Sequence, residues 1–127
     1  MKPQPSELRQ TTVTPISAQV FNNVLTTYTS AAFSTGAYRR GLLIISLAVA
    51  AAPTDIVINL MFSDDDVTYY KYMLGPFGDL RYEDSAGAKA ECLDFPILAP
   101  YMKLIATATG TTAVNMFSLT CKVVMNG

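Results

Sequence analysis

The 127-residue sequence contains no histidine and no tryptophan, and only two cysteines, Cys92 and Cys121. Histidine is the side chain that most often serves as a general base near neutral pH, and it is the commonest metal ligand. Its absence excludes Ser-His-Asp and Cys-His catalysis and every zinc site that uses histidine. Two cysteines are also too few for a four-cysteine zinc site. We therefore expect a protein that is not an enzyme and that binds no metal or cofactor.

Charge is also scarce in this sequence. Charged residues make up 15% of the chain, and nine Lys and Arg residues oppose ten Asp and Glu residues, for a net charge of −1. Such a balance provides no field to hold a nucleic-acid backbone, so we expect no nucleic-acid partner. Hydrophobic residues reach 50% of the chain, which excludes disorder for its bulk. A weakly charged, apolar surface suits a chain that partners cover in an assembly.

Neither an export signal nor a membrane span is evident. Residues 1–10 (MKPQPSELRQ) are polar and lack the apolar stretch of a signal peptide. The most apolar run, residues 41–52 (GLLIISLAVAAA), is shorter than the roughly 20 residues of a membrane helix, and we interpret it as a strand buried on both faces. We therefore expect synthesis in the cytoplasm and no association with a membrane. In that reducing compartment Cys92 and Cys121 are predicted to be free thiols, each acting as a small buried hydrophobe.

Apolar and polar residues alternate along most of the chain, in runs about ten residues apart. This period of two predicts an antiparallel β-sandwich, jelly-roll-like, with no helix. The predicted strands are residues 24–34, 42–51, 55–62, 67–73, 100–108 and 113–125, with 90–95 as a further candidate. Turn residues at 52–55 and 109–111 predict hairpins between the strands that they join. The alternating positions predict a core of Leu43, Ile45, Leu47, Ile56, Ile58, Leu60, Leu104, Phe117 and Leu119.

The first 15 residues differ from the rest in composition. They are punctuated by proline and have few large hydrophobic side chains, so we predict an extended arm over residues 1–15 that becomes ordered on a neighbour, followed by a sandwich domain over residues 16–127. A basic pair precedes the apolar run. The candidate partner interface therefore comprises Lys2, Pro3, Pro5, Leu8, Arg9, Arg39 and Arg40. The alternative is that these residues are a disordered terminus that contacts no partner.

Two polar clusters invite a chemical interpretation. Three adjacent carboxylates, Asp64, Asp65 and Asp66, are the ligand type that Ca²⁺ prefers. Neighbouring residues on an extended chain point in opposite directions, however, so we favour a solvated hairpin tip. Glu83 and Asp84, with Glu91 and Asp94, offer pairs for acid–base catalysis of the glycosidase type, but nothing sets their separation and we interpret them as surface charges. Three tyrosines, Tyr69, Tyr70 and Tyr72, offer a stacking platform for sugars or bases, with ordinary core packing as the alternative.

The order of the runs resembles a known group of proteins. A Thr/Ser-rich strand precedes YRRGLLIISLAVAAAP and TDIVINLMFSDDDVTYYKY, and the chain closes with LAPYMKLIATATGTTAVNMFSLTCKVV. Over roughly residues 24–124 this order resembles small virion proteins of tailed bacteriophages. Members of that group often have tryptophan in the aromatic pair, which is Tyr69-Tyr70 here, and usually have glycine where this chain has Asp66.

The resemblance implies a capsid decoration (cement) protein. Such a protein is a β-sandwich that binds the outer surface of an icosahedral phage head, often as a trimer. The implied partners are the major capsid protein and further copies of the chain itself, and the implied location is the capsid surface of the virion. Two other classes stay open: a different virion part (head-fibre base, head–tail connector or tail protein), and a carbohydrate-binding module. An enzyme built on carboxylates is a distant third.

Overall fold

The computed structural model describes residues 10–22, 24–36, 38–49, 55–73, 80–82, 89–111 and 117–127. Strands are the regular secondary structure of these ranges, and none of the ranges contains a helix long and apolar enough to cross a membrane. The strands are β1 (Gln10–Phe21), β2 (Thr27–Thr29), β3 (Phe33–Ser34), β4 (Arg40–Val49), β5 (Asp55–Ser63), β6 (Tyr70–Lys71), β7 (Leu80–Tyr82), β8 (Lys89–Pro96), β9 (Tyr101–Thr109) and β10 (Phe117–Asn126).

The strands form two antiparallel sheets. In the described part of the chain, a four-stranded sheet has the order β1-β10-β4-β8. In the six-stranded sheet, β2 and β3 pair with one edge of β9, β9 pairs with β5, and β6 and β7 pair with the other edge of β5. The chain alternates between the sheets as it proceeds, which is the winding of a jelly roll. The predicted all-β, jelly-roll-like sandwich is confirmed.

Both predicted hairpins are wrong. β4 pairs with β10 and β8, whereas β5 pairs with β9, β6 and β7, so β4 and β5 lie in different sheets. In the same way β9 lies in the six-stranded sheet and β10 in the four-stranded sheet. A turn signal shows where the chain reverses, but it does not show whether the next strand pairs with the last one or crosses to the facing sheet.

The core lies between the two sheets and follows the predicted alternation. Leu43, Ile45 and Leu47 of β4 point inward, and so do Ile56, Ile58 and Leu60 of β5. Leu104 and Leu119 are fully buried as well. The side chain of the remaining predicted core residue, Phe117, lies outside the described part of the structure. The core prediction is therefore confirmed for every member whose side chain is described.

The outward side of β4 differs from the prediction. The apolar run was expected to be buried on both faces, but Leu42 and Ile44 are only half-buried, and Ser46 is exposed. The two cysteines, both of which are free thiols, lie on opposite sides of the four-stranded sheet. Cys121 pairs with Ile45 and is buried, whereas Cys92 pairs with Ile44 and is exposed. The prediction that Cys92 is a buried hydrophobe is wrong, because Cys92 lies on the outward side of the four-stranded sheet, where none of the described strands covers it.

Strand β1 includes residues that the sequence analysis assigned to the arm. Gln10 pairs with Asn126 and Val13 with Val123, so residues 10–15 belong to the sandwich, while residues 1–9 lie outside the described residues. Two register shifts interrupt the strand on either side of Ile16. At the second shift Ala18 has a φ of 47°, and its N–H donates to Thr120 Oγ1 at 2.9 Å. These irregularities break the period of two, which is why the strand was missed.

Two other predicted strands are shorter than expected. The strand predicted over residues 24–34 is divided into β2 and β3. Between them, Ser30 bonds to β9 partly through its side chain instead of through the backbone alone. Ser30 N–H donates to Leu104 O and Ser30 Oγ accepts from Leu104 N–H, each at 2.9 Å. The strand predicted over residues 67–73 is reduced to Tyr70–Lys71, because residues 64–68 form an irregular turn.

Candidate assembly surfaces

One end of the sandwich brings the start of the first strand and the end of the last strand together. Gln10 pairs with Asn126, and Asn126 pairs with Arg40. Arg39 N–H donates to Asn126 O at 2.9 Å, and Ile97 N–H donates to Arg39 O at 2.9 Å. We call this region the terminal end. It places the predicted interface residues Arg39 and Arg40 two strands away from Gln10, to which residues 1–9 are attached.

The remaining predicted interface residues are not described. Lys2, Pro3, Pro5, Leu8 and Arg9 all lie outside the described ranges. Of the two described ones, Arg39 is exposed, and Arg40 is exposed and forms an ion pair with Asp94 of β8. An exposed ion pair of this kind contributes little to stability.

Exposed apolar side chains also lie at the terminal end. Ser63 pairs with Tyr101, which places the β5–β6 turn and the β8–β9 loop at the same end. Val67 in the first of these segments is 80% exposed, and Leu98 in the second is 61% exposed. Tyr70, which pairs with Phe62 next to the turn, is 65% exposed. Contiguous exposed apolar patches mark contact surfaces, so the placing of these three side chains at one end makes the terminal end a candidate contact surface.

The acidic turn at residues 64–66 is organised by its own hydrogen bonds. Asp65 Oδ1 accepts from Val67 N–H at 2.9 Å, from Thr68 N–H at 3.0 Å and from Ser63 Oγ at 2.9 Å. The hydrogen bonds from the backbone of Thr68 and Val67, and then from Ser63, lower the pKa of Asp65 below its usual 3.8. The turn is exposed, as expected of a hairpin tip. Nowhere in the described ranges do three or more His, Cys, Asp or Glu side chains group in a way that could hold a metal ion.

Asp66 occupies a backbone position that favours glycine. Its φ is 60°, in the left-handed region that aspartate tolerates better than most residues. This is the position at which the phage proteins resembled by the sequence usually have glycine. The Asp66 carboxylate also accepts a hydrogen bond from the Tyr69 hydroxyl. Partial burial, and then this carboxylate, raise the pKa of Tyr69 to about 12.

The three tyrosines do not form a common platform. Lys103 Nζ lies 4.2 Å from the centre of the Tyr69 ring, in a cation–π contact on the outward side of the six-stranded sheet. The Tyr72 ring packs edge-on against Phe62 with a centroid distance of 6.0 Å and is partly buried against the core. Tyr70 remains exposed. Each ring has a different environment, which weakens the stacking hypothesis for sugars or bases.

In the described structure, the carboxylates considered for acid–base catalysis are not brought together as a catalytic pair. Glu91 and Asp94 are both exposed, and because they are three residues apart on β8 they point to opposite sides of the strand. Glu83 and Asp84 lie outside the described residues.

The outer face of the four-stranded sheet is a second candidate surface, and the sequence analysis did not predict it. We define this outer face by three rows of outward side chains across β10, β4 and β8. The rows are Val124, Leu42 and Asp94; Lys122, Ile44 and Cys92; and Thr120, Ser46 and Ala90. A shallow depression of about 500 Å³ lies over β4 and β8, lined by Leu42, Ile44, Ile45, Ser46, Ala90, Glu91 and Cys92. The sequence feature that could have predicted this surface is the unbroken apolar run of β4.

Comparison with known proteins adds to the description of the fold. The chain matches no protein-family profile, and no curated protein is similar to it in sequence. Among solved structures it resembles the SPBc2 prophage-derived protein YomS, with a TM-score of 0.50 and 14% identity over 94% of each chain. It also resembles the VP2 subviral particle of infectious bursal disease virus, with a TM-score of 0.57 and 13% identity over 92% of this chain and 32% of that chain.

These likenesses define the fold class. At 13–14% identity they show a shared β-sandwich. The chain spans almost the whole length of the prophage protein but only about a third of the VP2 chain, so it corresponds to one part of VP2. The same sandwich architecture serves viral capsid proteins and lectins alike, so function has to be argued from the surfaces.

Proposed function

We propose that this chain is a structural protein of a bacteriophage virion, and within the virion a capsid decoration (cement) protein that binds the outside of an icosahedral head. The observation that carries the proposal is the jelly roll itself, which a prophage-derived protein shares over almost its full length and a viral capsid protein shares over one part. The proposed role is not enzymatic and uses no cofactor. This role requires a large contact area on each subunit and many subunits on one shell, rather than reactive groups.

The terminal end is the surface that we assign to the capsid. It combines exposed apolar side chains, Val67, Tyr70 and Leu98, with the Arg39-Arg40 pair and the attachment point of residues 1–9. A specific contact buries about 1,200–2,000 Å² in total, and apolar loop tips together with an arm supply such area without a groove on the partner. Many identical contacts on one shell then add up by multivalency.

The proposed partners are the major capsid protein and further copies of this chain, with no nucleic acid and no membrane. The resemblance to tailed-phage proteins implies a trimer as the attached form. The proposed location is the capsid surface, after synthesis in the host cytoplasm. A weak net charge of −1 and 50% hydrophobic residues are compatible with a subunit that works inside an assembly.

The proposal is tested with empty heads assembled from the major capsid protein of the phage whose genome encodes this chain. The purified full chain is mixed with these heads and sedimented, and bound particles are imaged. We expect co-sedimentation and density on the outer surface of the shell. Density at the head vertex, neck or tail would assign the chain to another virion part, and no binding to any particle would contradict a virion role.

Two substitutions at exposed valines localise the contact. Val67→Asp changes the terminal end, whereas Val24→Asp changes a valine that is 85% exposed and lies just before β2, towards the opposite end of the sandwich. We expect Val67→Asp to weaken co-sedimentation and Val24→Asp to leave it unchanged. Equal effects of the two variants would contradict the assignment of the terminal end.

A further inference from the structure

We infer that two copies of this chain pair in the free protein, terminal end against terminal end, with Arg39 of each copy facing Asp64 of the other. This pairing covers the surface that we assign to the capsid, so a subunit has to leave its dimer before it binds a head. That consequence rests on the proposed function, whereas the pairing itself is measured in the absence of heads.

Arg39 provides a positive charge on the four-stranded side of the terminal end. Two hydrogen bonds of 2.9 Å fix its backbone, one donated to Asn126 O and one accepted from Ile97 N–H, while its side chain is exposed. The neighbouring Arg40 already forms an ion pair with Asp94, but no described residue pairs with the Arg39 guanidinium. The backbone is therefore held in place while the charge stays available to a partner.

Asp64 provides a negative charge on the six-stranded side of the same end. It directly follows β5 and is exposed. The other two carboxylates of the acidic turn are engaged, since Asp65 Oδ1 accepts from two backbone N–H groups and Asp66 accepts from the Tyr69 hydroxyl. Among the described residues, none donates a hydrogen bond to the Asp64 side chain or forms an ion pair with it. A substitution at position 64 therefore changes the charge without removing a bond that shapes the turn.

The two charges are arranged as a two-fold contact requires. Arg39 precedes β4 and Asp64 follows β5, and each of these strands is the third in the order of its sheet. Phe62 of β5 packs against Phe95 of β8, the neighbour of β4, so the two charges lie opposite each other across the gap between the sheets. A two-fold axis that runs through this gap and crosses the strands places the four-stranded side of one copy over the six-stranded side of the other.

A second copy is the partner that this arrangement fits. A partner that satisfies both charges has to present a carboxylate to Arg39 and a cation to Asp64 at matching positions. The terminal end of a second copy does so by symmetry, because every contact of a two-fold interface occurs twice. Complementary charges of this kind set the orientation of the partners and reject arrangements that bring like charges together.

Apolar side chains form the rest of the contact. Leu98, 61% exposed, lies in the loop that crosses from β8 in one sheet to β9 in the other, so the axis brings the two copies of Leu98 together. Val67, 80% exposed, lies beside the acidic turn and faces the four-stranded side of the second copy. A contact between loop tips belongs to the small class of interfaces, below about 1,200 Å² in total, that is typical of transient complexes. Transient pairing suits a surface that later binds a capsid.

The first test is the mass of the purified full chain at low salt and without heads, measured by analytical ultracentrifugation over a wide concentration range. We expect a monomer–dimer equilibrium that high salt weakens. Arg39→Glu and Asp64→Lys each bring like charges together twice in one dimer, so each should raise the dissociation constant by roughly tenfold or more. The matched controls are Lys122→Glu and Glu91→Lys, which make the same charge changes at exposed mid-sheet positions and should leave the constant unchanged.

The second test mixes the two charge variants. In a dimer of one Arg39→Glu chain and one Asp64→Lys chain, both contacts again join opposite charges. The mixture should therefore dimerise with about the strength of the wild type, although neither variant does so alone. A mixture without this recovery would overturn the inference. So would a chain that stays monomeric at every concentration, or an assembly whose smallest form is a trimer.

Binding to empty heads separates this inference from the proposed function. Binding to heads by a chain that never self-associates would overturn the pairing and leave the proposed function standing. Dimers that bind no heads would contradict the proposed function and leave the pairing standing. Where both hold, the apparent affinity for heads should fall as the chain concentration rises into the range of the dimer, because only the monomer is competent to bind. An unchanged affinity would overturn the competition between the two partners.

Discussion

Gly41 of β4 lies directly beneath the aromatic ring of Phe95 on β8, its partner across the two strands. A Cβ atom at position 41 would lie 2.3 Å from Phe95 Cζ and under 3.0 Å from both Cε atoms. The Phe95 ring is 1% exposed and packs against Phe62 at a centroid distance of 6.2 Å, so it has little room to move. Glycine is required at this position for the space that it leaves, since the ring fills the place of its missing side chain.

Gly41→Ala should therefore destabilise the sandwich by about 1–3 kcal/mol, the usual cost of overpacking a core. Urea denaturation of the purified chain measures the change in the free energy of unfolding. Ser46→Ala, an exposed outward position of the same strand, is the control and should stay within about 0.5 kcal/mol of the wild type. In a Phe95→Leu background the penalty for Gly41→Ala should become smaller, and an unchanged penalty would argue against the ring as its cause.

Leu60→Ala tests the core itself. Leu60 is fully buried and pairs with Leu104, which is also fully buried, so the truncation leaves a cavity between the sheets. We expect a loss of about 2–5 kcal/mol in the free energy of unfolding. Met61 is the next residue on β5, points outward and is half-buried, so Met61→Ala should cost clearly less. Similar costs for the two variants would contradict the assigned faces of β5.

Ser30→Ala tests the junction between β2 and β3. The Ser30 side chain is buried and its Oγ accepts from Leu104 N–H, so alanine leaves that backbone donor without this acceptor inside the sandwich. The expected cost is about 1–3 kcal/mol, measured by urea denaturation. Thr29→Ala changes the exposed neighbour on β2 and should be nearly neutral. A neutral Ser30→Ala would show that water or another group replaces the hydroxyl.

The acidic turn predicts a pH dependence with a defined sign. The folded pKa of Asp65 is below its usual 3.8, so its ionised form stabilises the fold above pH 3.8, and this contribution is lost as the pH falls through the folded pKa. NMR titration of the folded protein should give a pKa below 3.8 for Asp65. Ser63→Ala removes one donor and should move that pKa upward. An Asp65 pKa at or above 3.8 in the wild type would contradict the turn geometry.

Deletion of residues 1–9 separates the arm from the sandwich. Strand β1 begins at Gln10 and keeps its pairing with β10, so the midpoint of thermal unfolding should hardly change. Binding to empty heads in the sedimentation assay should become weaker, because the contacts of the arm are lost together. Equal binding and an equal oligomeric state of the truncated and full-length chains would leave the arm without a role.

The sequence by itself determined where most strands lie and which of their residues face inward. Strand β5 was predicted at residues 55–62 and is found at Asp55–Ser63, because a strand half covered by a facing sheet alternates apolar and polar side chains. That alternation is a local property, and it requires no knowledge of the strand's neighbours. Strand β1 lacked the signal, since two register shifts interrupt its alternation and its threonines resemble a polar arm.

The tertiary structure alone decided which strands pair and which sheet faces stay open. Pairing of β1 with β10, or of β4 with β8, joins residues far apart in the chain, and no local pattern encodes it. The crossing of β4 to β5 therefore had the same turn signal as a hairpin. Apolar character likewise predicts that Ile44 and Cys92 prefer burial, but whether they are covered depends on what packs against their side of the sheet. Among the described residues Ile44 is half-buried and Cys92 is exposed.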